Sequence, residues 1–135
     1  MTRELIQRTA APEPLAREMV RFALIGILAT VIHYSILFGL VHGADVLPIV
    51  ATTVGYAVSL VVSYVLNRRF TFHVATPIAT SFAKFAVVYG VGMALNAWIV
   101  DSLVAIDAAL IAAQLAASTV VLFWNYLGAR FVAFR

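Results

Sequence analysis

Long apolar runs, broken by three polar interruptions, dominate the chain. Residues 22–41, 46–66, 82–104 and 108–127 are each almost free of charge. Each approaches or exceeds the roughly 20 apolar residues that cross a bilayer as a helix. Helices are the expected form, because backbone groups in lipid must be bonded within their own segment. Barrel strands would alternate polar and apolar positions over about ten residues, and these runs do not alternate. The sequence therefore predicts an all-α polytopic membrane protein.

The interruptions set the topology. Residues 42–45 and 101–107 are short polar turns, whereas residues 67–81 form the one long connection. Short links pair the first span with the second and the third with the fourth, as two hairpins. Residues 1–20 read as a polar tail with a helical turn or two near Arg17 and Glu18, and residues 21–135 as the membrane domain. A secretory signal peptide fits poorly, since its apolar region would run only about 7–15 residues.

Charge gives an orientation. Arg3, Arg8, Arg17 and Arg21 precede the first span, Arg68, Arg69 and Lys84 surround the long connection, and Arg130 and Arg135 follow the fourth span. The two short turns carry Asp45, Asp101 and Asp107 and no Lys or Arg. Positive residues mark the cytoplasmic side, so both termini and the long connection are expected in the cytoplasm. The net charge of +3 is no sign of nucleic-acid binding once its placement is explained by the membrane.

Composition agrees. The 135 residues are 64% hydrophobic and 11% charged, against roughly a quarter charged in soluble domains. Cysteine is absent, which excludes disulfides, thiolate metal sites and cysteine nucleophiles. The sequence holds no phosphate-binding glycine loop, zinc motif or carboxylate pair placed for acid–base work. No enzyme activity, cofactor or metal is expected.

The halves resemble each other. Arg21-Phe22 and Lys84-Phe85 open the odd spans 63 positions apart, and His33 and Asn96 share the same spacing. Arg69 and Arg130, 61 apart, follow the even spans in aromatic surroundings. The pattern reads either as a duplicated hairpin in parallel orientation or as two hairpins with similar flanks.

Two groups of residues are candidates for function. At the cytoplasmic ends, Tyr64, Asn67, Arg68 and Arg69 face a counterpart in Trp124, Asn125, Tyr126 and Arg130, with Arg21 and Lys84 adding positive field. Arginine forks match phosphate oxygens in paired, charge-assisted bonds. A phosphorylated lipid headgroup is thus a natural ligand, although anchoring by the positive-inside rule and an aromatic belt explains the same residues. Deeper, His33 and Asn96 are costly unless they face the protein interior or a wet cavity; with Tyr34 or Tyr89 they are candidates to line a path. Small residues within the spans, Gly26, Ser35, Gly39, Gly55, Ser59, Ser63, Gly90 and Gly92 with the alanines of the fourth span, allow close helix packing. Gln114 and Ser118 make one polar edge on the fourth span.

The stretches RFALIGILAT, YVLNRRFTF, FAKFAVVYGVGMALN and FWNYLGARFVAF together resemble the GtrA-like family of bacterial membrane proteins over residues 20–134. The family often has an Asn-Arg pair before its closing aromatic-Val-Phe; here Gly128-Ala129 takes that place and Arg130 alone remains. The resemblance implies four spans in the inner membrane and a role in cell-surface polysaccharide synthesis, through translocation of a polyprenyl-phosphate-linked sugar. It implies as substrate-binding residues Arg21, Tyr64, Asn67, Arg68, Arg69, Lys84, Asn125 and Arg130, and as path residues His33, Tyr34, Tyr89 and Asn96. Partners would be membrane lipids and either a parallel homodimer or a membrane glycosyltransferase. The alternative is a non-transporting subunit that positions such a transferase. A small-solute exporter fits less well, since no membrane-embedded acid accompanies the spans.

Overall fold

A computed structural model of the chain describes residues 13–135. Helix α1 spans Leu15–Ala44, α2 spans Pro48–Leu66, α3 spans Ile78–Val104 and α4 spans Leu110–Gly128. Two five-residue π-helical turns continue the even helices, Asn67–Thr71 after α2 and Ala129–Ala133 after α4. With those turns included, all four helices are long and apolar enough to cross a membrane. Arg3 and Arg8 lie outside the described residues.

Proline starts three of the helices. Pro14 and Pro77 hold extended backbone immediately before α1 and α3, and Pro48 is the first residue of α2. Its missing N–H costs nothing at that position. Two turns are closed by aspartate in the left-handed region, Asp45 at φ 51° and Asp107 at φ 64°. Short polar side chains tolerate this conformation better than other non-glycine residues. The bonds from Val46 N–H to the Leu40 carbonyl and from Ala108 N–H to the Leu103 carbonyl, both 3.0 Å, complete the two turns.

The helices run further than the apolar runs. Helix α1 begins at Leu15, so Arg17, Glu18 and Arg21 are helical, and its 30 residues span about 45 Å at 1.5 Å each. Asp101 lies within α3 rather than in a turn, and the long connection shrinks to residues 72–77 between the first π turn and α3. Hydropathy finds the segment that lipid covers, not the turns of the same helix in the headgroup layer.

Packing is uneven along the spans. Helix α1 lies along α2, and α3 lies along α4. In the first pair, a Cβ on Gly55 would come within 2.8 Å of both the His33 ring and the His33 carbonyl oxygen, so only glycine allows α2 this close. In the second pair, Trp124 Nε1 donates to the Val88 carbonyl at 2.9 Å, and Ala113 and Ala117 are fully buried. The pairs meet mainly at the arginine-bearing end, where Phe22, Tyr64, Phe85, Tyr126, Ala129, Ala133 and Phe134 form the core. Ring centroids there are 5.5 Å apart for Tyr64–Phe85 and Tyr64–Phe134 and 5.7 Å for Phe22–Tyr126. Away from that end, residues such as Ile49, Trp98, Ile111 and Leu115 are exposed, as lipid-facing surface should be.

Candidate functional site

Two clasps of tyrosine and arginine hold the helix ends together. Arg68 Nη1 donates to Thr76 Oγ1 and Ser81 Oγ, each at 3.1 Å, and to Tyr64 OH at 3.4 Å. Arg68 Nη2 donates to the Thr76 carbonyl, and Tyr64 OH is bonded to Ser81 and, at 3.2 Å, to the Ile78 carbonyl. This clasp ties the end of α2 to the connection and to the start of α3. In the other, Arg130 Nη1 donates to Glu18 Oε1 at 2.6 Å and to Tyr126 OH at 3.1 Å, while Tyr126 OH donates to the same Glu18 oxygen at 2.8 Å. It ties α4 to α1. Both put tyrosine and arginine four residues apart, one above the other on a helix face.

The other rim residues separate into committed and available groups. Asn67 is fully buried. Its Nδ2 donates to the Ser63 carbonyl at 2.9 Å and Ser63 Oγ at 3.2 Å, and its Oδ1 accepts from Thr71 Oγ1 at 2.9 Å. An enclosed, fully bonded amide cannot reach a headgroup, so the sequence expectation for Asn67 gives way to a structural role in the π turn. Arg21 pairs with Glu13, and its Nε is buried without a hydrogen-bond partner among the described residues. Arg69 is exposed, with its guanidinium carbon 5.5 Å from the centroid of Phe70. Lys84 is exposed beside Thr76, Thr80, Ser81 and Arg135 around a cavity of about 90 Å³. A larger surface cavity of about 430 Å³ is lined by Glu18, Phe72, Val74, Arg130, Phe131, Phe134 and Arg135.

Inside the membrane layer, a cleft of about 670 Å³ opens between α1 and α4. Ala23, Gly26, Ile27 and Thr30 form one wall, Ser118, Val121, Leu122 and Asn125 the other, and Tyr56, Tyr89 and Asn96 also line it. A smaller cavity of about 140 Å³ shares Gly26, Thr30, Tyr56 and Tyr89 and extends to His33, Ser59 and Ser63. Polar pairs mark the far limit of both. His33 Nε2 is 3.1 Å from Thr52 Oγ1, and Gln114 Nε2 donates to Asn96 Oδ1 at 3.0 Å and to Ser118 Oγ at 3.0 Å. The structure thus brings His33, Tyr89, Asn96 and Asn125 to connected space. Tyr34 departs from its expectation: it is 52% exposed and stacks on Phe38 and His33 along the outside of α1, lining neither cavity.

Four spans, a basic rim and a lateral cleft now stand together, and the family model described as GtrA/DPMS, transmembrane domain, matches residues 21–134. The chain belongs to the GtrA/DPMS family. No curated protein gives a significant match. Membership makes this GtrA/DPMS domain a non-catalytic, multi-pass component of the bacterial inner membrane linked to polysaccharide biosynthesis, and it supports translocation of a polyprenyl-phosphate-linked sugar.

Several lining or clasping residues of this GtrA/DPMS domain were not singled out in the sequence. Thr30, Tyr56 and Ser81 lie among apolar neighbours, and no local motif marks them. Glu18 looks like part of a polar tail until α1 is seen to start before it. Tyr126 is already part of the rim read from the sequence, and its spacing to Arg130 repeats that of Tyr64 to Arg68.

Proposed function

We propose that this GtrA/DPMS domain carries a polyprenyl-phosphate-linked sugar across the inner membrane through the cleft between α1 and α4. In this reading the arginine-bearing end faces the cytoplasm, as the positive-inside bias requires. Arg69, Lys84, Arg130 and Arg135 attract the lipid phosphate there, because basic groups at the headgroup level bind anionic headgroups. The sugar moves along the polar groups of the cleft, Asn125, Tyr89, Tyr56 and Asn96, while the polyprenyl chain stays in lipid through the lateral opening. The observation that carries the reading is the cleft itself: about 670 Å³, lined from all four spans, with Tyr56, Tyr89, Asn96 and Asn125 among apolar residues. A parallel second copy or a membrane glycosyltransferase beside the cleft belongs to the same proposal.

The proposal includes a duplicated hairpin with both copies in one orientation. Its support is a set of matched contacts. Tyr64 and Tyr126, Arg68 and Arg130, and the two π turns are each 62 positions apart, while Ser81 and Glu18 are 63 apart. The His33–Thr52 and Asn96–Gln114 pairs follow the same two spacings. By these contacts Arg130 corresponds to Arg68 rather than to Arg69.

Gly26 offers the test, since it lines both cavities and a Cβ there would meet nothing within 4 Å. Gly26→Trp should fill the cleft without forcing the helices apart. Flipping of polyprenyl-phosphate-linked glucose in liposomes should slow by about tenfold or more, with unchanged thermal unfolding in detergent. Arg69→Ala should slow it with equally little structural effect, as Arg69 makes no hydrogen bond among the described residues. Undiminished flipping by a folded Gly26→Trp protein would remove the cleft as the route. No flipping by folded wild type across several sugars would favour a subunit that positions a transferase.

A further inference from the structure

We propose that Glu18 is a built-in occupant of a phosphate site at Arg130, and that a lipid phosphate displaces it. The inference rests on the reading of the arginine-bearing end as a phosphate-recognising rim, and it adds where the phosphate docks and what it must replace.

Glu18 and Arg130 form an ion pair at 2.6 Å, with side chains 15% and 34% exposed respectively. Both protein bonds of Arg130 leave from Nη1, one to Glu18 Oε1 and one to the Tyr126 hydroxyl, which itself donates to the same Glu18 oxygen. Among the described residues, Nη2 and Nε make no hydrogen bond. Their donors are thus kept for a ligand, beside a cavity of about 430 Å³ that Arg135 also lines. A phosphate group supplies more acceptor oxygens than this single one and suits the paired geometry of the fork.

The other clasp shows that the negative charge is not needed for holding the helices. Arg68 and Tyr64 make the same i, i+4 pair, and their partner across the helix boundary is Ser81, a neutral hydroxyl. A carboxylate in that role at Arg130 cancels positive charge in the cavity and competes with any incoming anion. Exchange also has a structural consequence. Tyr126 packs edge-on against Phe22 at 5.7 Å and lies 6.2 Å from Phe72. Phe22 lines the membrane cleft, and Phe72 lines the surface cavity. The Tyr126 ring therefore touches one lining ring of each space. When phosphate displaces Glu18, Tyr126 exchanges its carboxylate acceptor for a phosphate oxygen, at the ring contact between cavity and cleft where the substrate arrives.

The test is equilibrium binding of neryl phosphate, a short prenyl monophosphate, to the full chain in detergent, with inorganic phosphate as a parallel probe. Glu18→Gln removes the charge and keeps an acceptor. Glu18→Ser recreates the arrangement that Ser81 already makes with Tyr64 and Arg68, and so guards against loss of fold in the first variant. Each should bind neryl phosphate about tenfold more tightly than wild type, the difference expected between a charge-assisted and a neutral hydrogen bond. Adding Arg130→Ala should abolish the gain. Unchanged or weaker binding by folded Glu18→Gln and Glu18→Ser proteins overturns the exchange, and an equal gain for inorganic phosphate overturns the lipid as its source. Wild-type flipping measured alongside separates the two readings: flipping with no change in affinity sinks the exchange alone, and a tenfold gain without flipping sinks transport alone.

Discussion

Gly128→Ala should destabilise the protein by about 1–3 kcal/mol, the usual cost of forcing a carbon into a well-packed contact. A Cβ at that position would lie 2.3 Å from Val88 Cγ1, 2.9 Å from Cγ2 and 3.2 Å from Val88 Cβ. Val88 is 6% exposed and stiff at χ1 because it is β-branched, so it cannot swing aside. Alanine gains roughly 1 kcal/mol over glycine in helix propensity, but a 2.3 Å approach is too severe for that gain to prevail. The strain also reaches the site, because Gly128 immediately precedes the π turn that carries Arg130. Val88→Ala in the same chain removes both γ-carbons and should recover most of the loss. A double-mutant cycle on unfolding in detergent measures this recovery; purely additive losses would show that the close approach does not govern stability. The same change at Gly90, where a Cβ meets nothing within 4 Å, should be neutral or slightly stabilising.

Asn67→Leu should cost about 2–4 kcal/mol. Leucine shares the branched outline of asparagine but is bulkier, so at this fully buried site overpacking adds to a polar loss. The change orphans the Thr71 hydroxyl, 2% exposed, whereas the Ser63 hydroxyl, 1% exposed, keeps the Tyr89 hydroxyl at 3.5 Å. Each orphaned buried group costs roughly 1–3 kcal/mol. Thr71→Val added to Asn67→Leu should return part of the loss by removing one orphan. Thermal unfolding checks both changes. A headgroup-binding role for Asn67 predicts the opposite pattern, with unaltered stability and weakened binding of neryl phosphate, and that result would restore the sequence expectation.

The membrane fold was legible because lipid imposes one dominant constraint. Apolar runs long enough to span announce helices, and the one-sided distribution of arginine gives them an expected direction. What lipid does not constrain was harder to read. The helical turns containing Glu18 and Lys84 are polar or mixed, so they fell near the edges of hydropathy segments although α1 and α3 run through them. The π turns have no residue signature, since NRRFT and ARFVA share little beyond an arginine and aromatic character.

The candidate site was legible as chemistry and less so as geometry. Arginine, tyrosine and asparagine at the headgroup level indicate anion recognition whatever their orientation. Sequence could not show that Arg68 is bound to Thr76 and Ser81 while Arg69, its neighbour, is exposed. Successive helical residues point about 100° apart, and in an amphipathic layer either may face inward. The cleft was partly visible through His33 and Asn96, because polar side chains in lipid must find an interior. Tyr34 was misplaced for a related reason: an aromatic ring with a hydroxyl can lie on the outer surface of a span at little cost.

The position of the core has a consequence for how the protein is made. Its principal rings come from all four helices, and Tyr126 and Phe134 lie far along the chain. During synthesis α1 and α2 enter the bilayer and can pack along each other while the rest of the shared aromatic core is still untranslated. Lipid must solvate Phe22 and Tyr64 in the interval, although the Gly55–His33 contact can already form. Final closure waits for the second π turn to arrive, so a ribosome paused just short of Tyr126 would hold two inserted, mutually packed helices with an unfinished aromatic face.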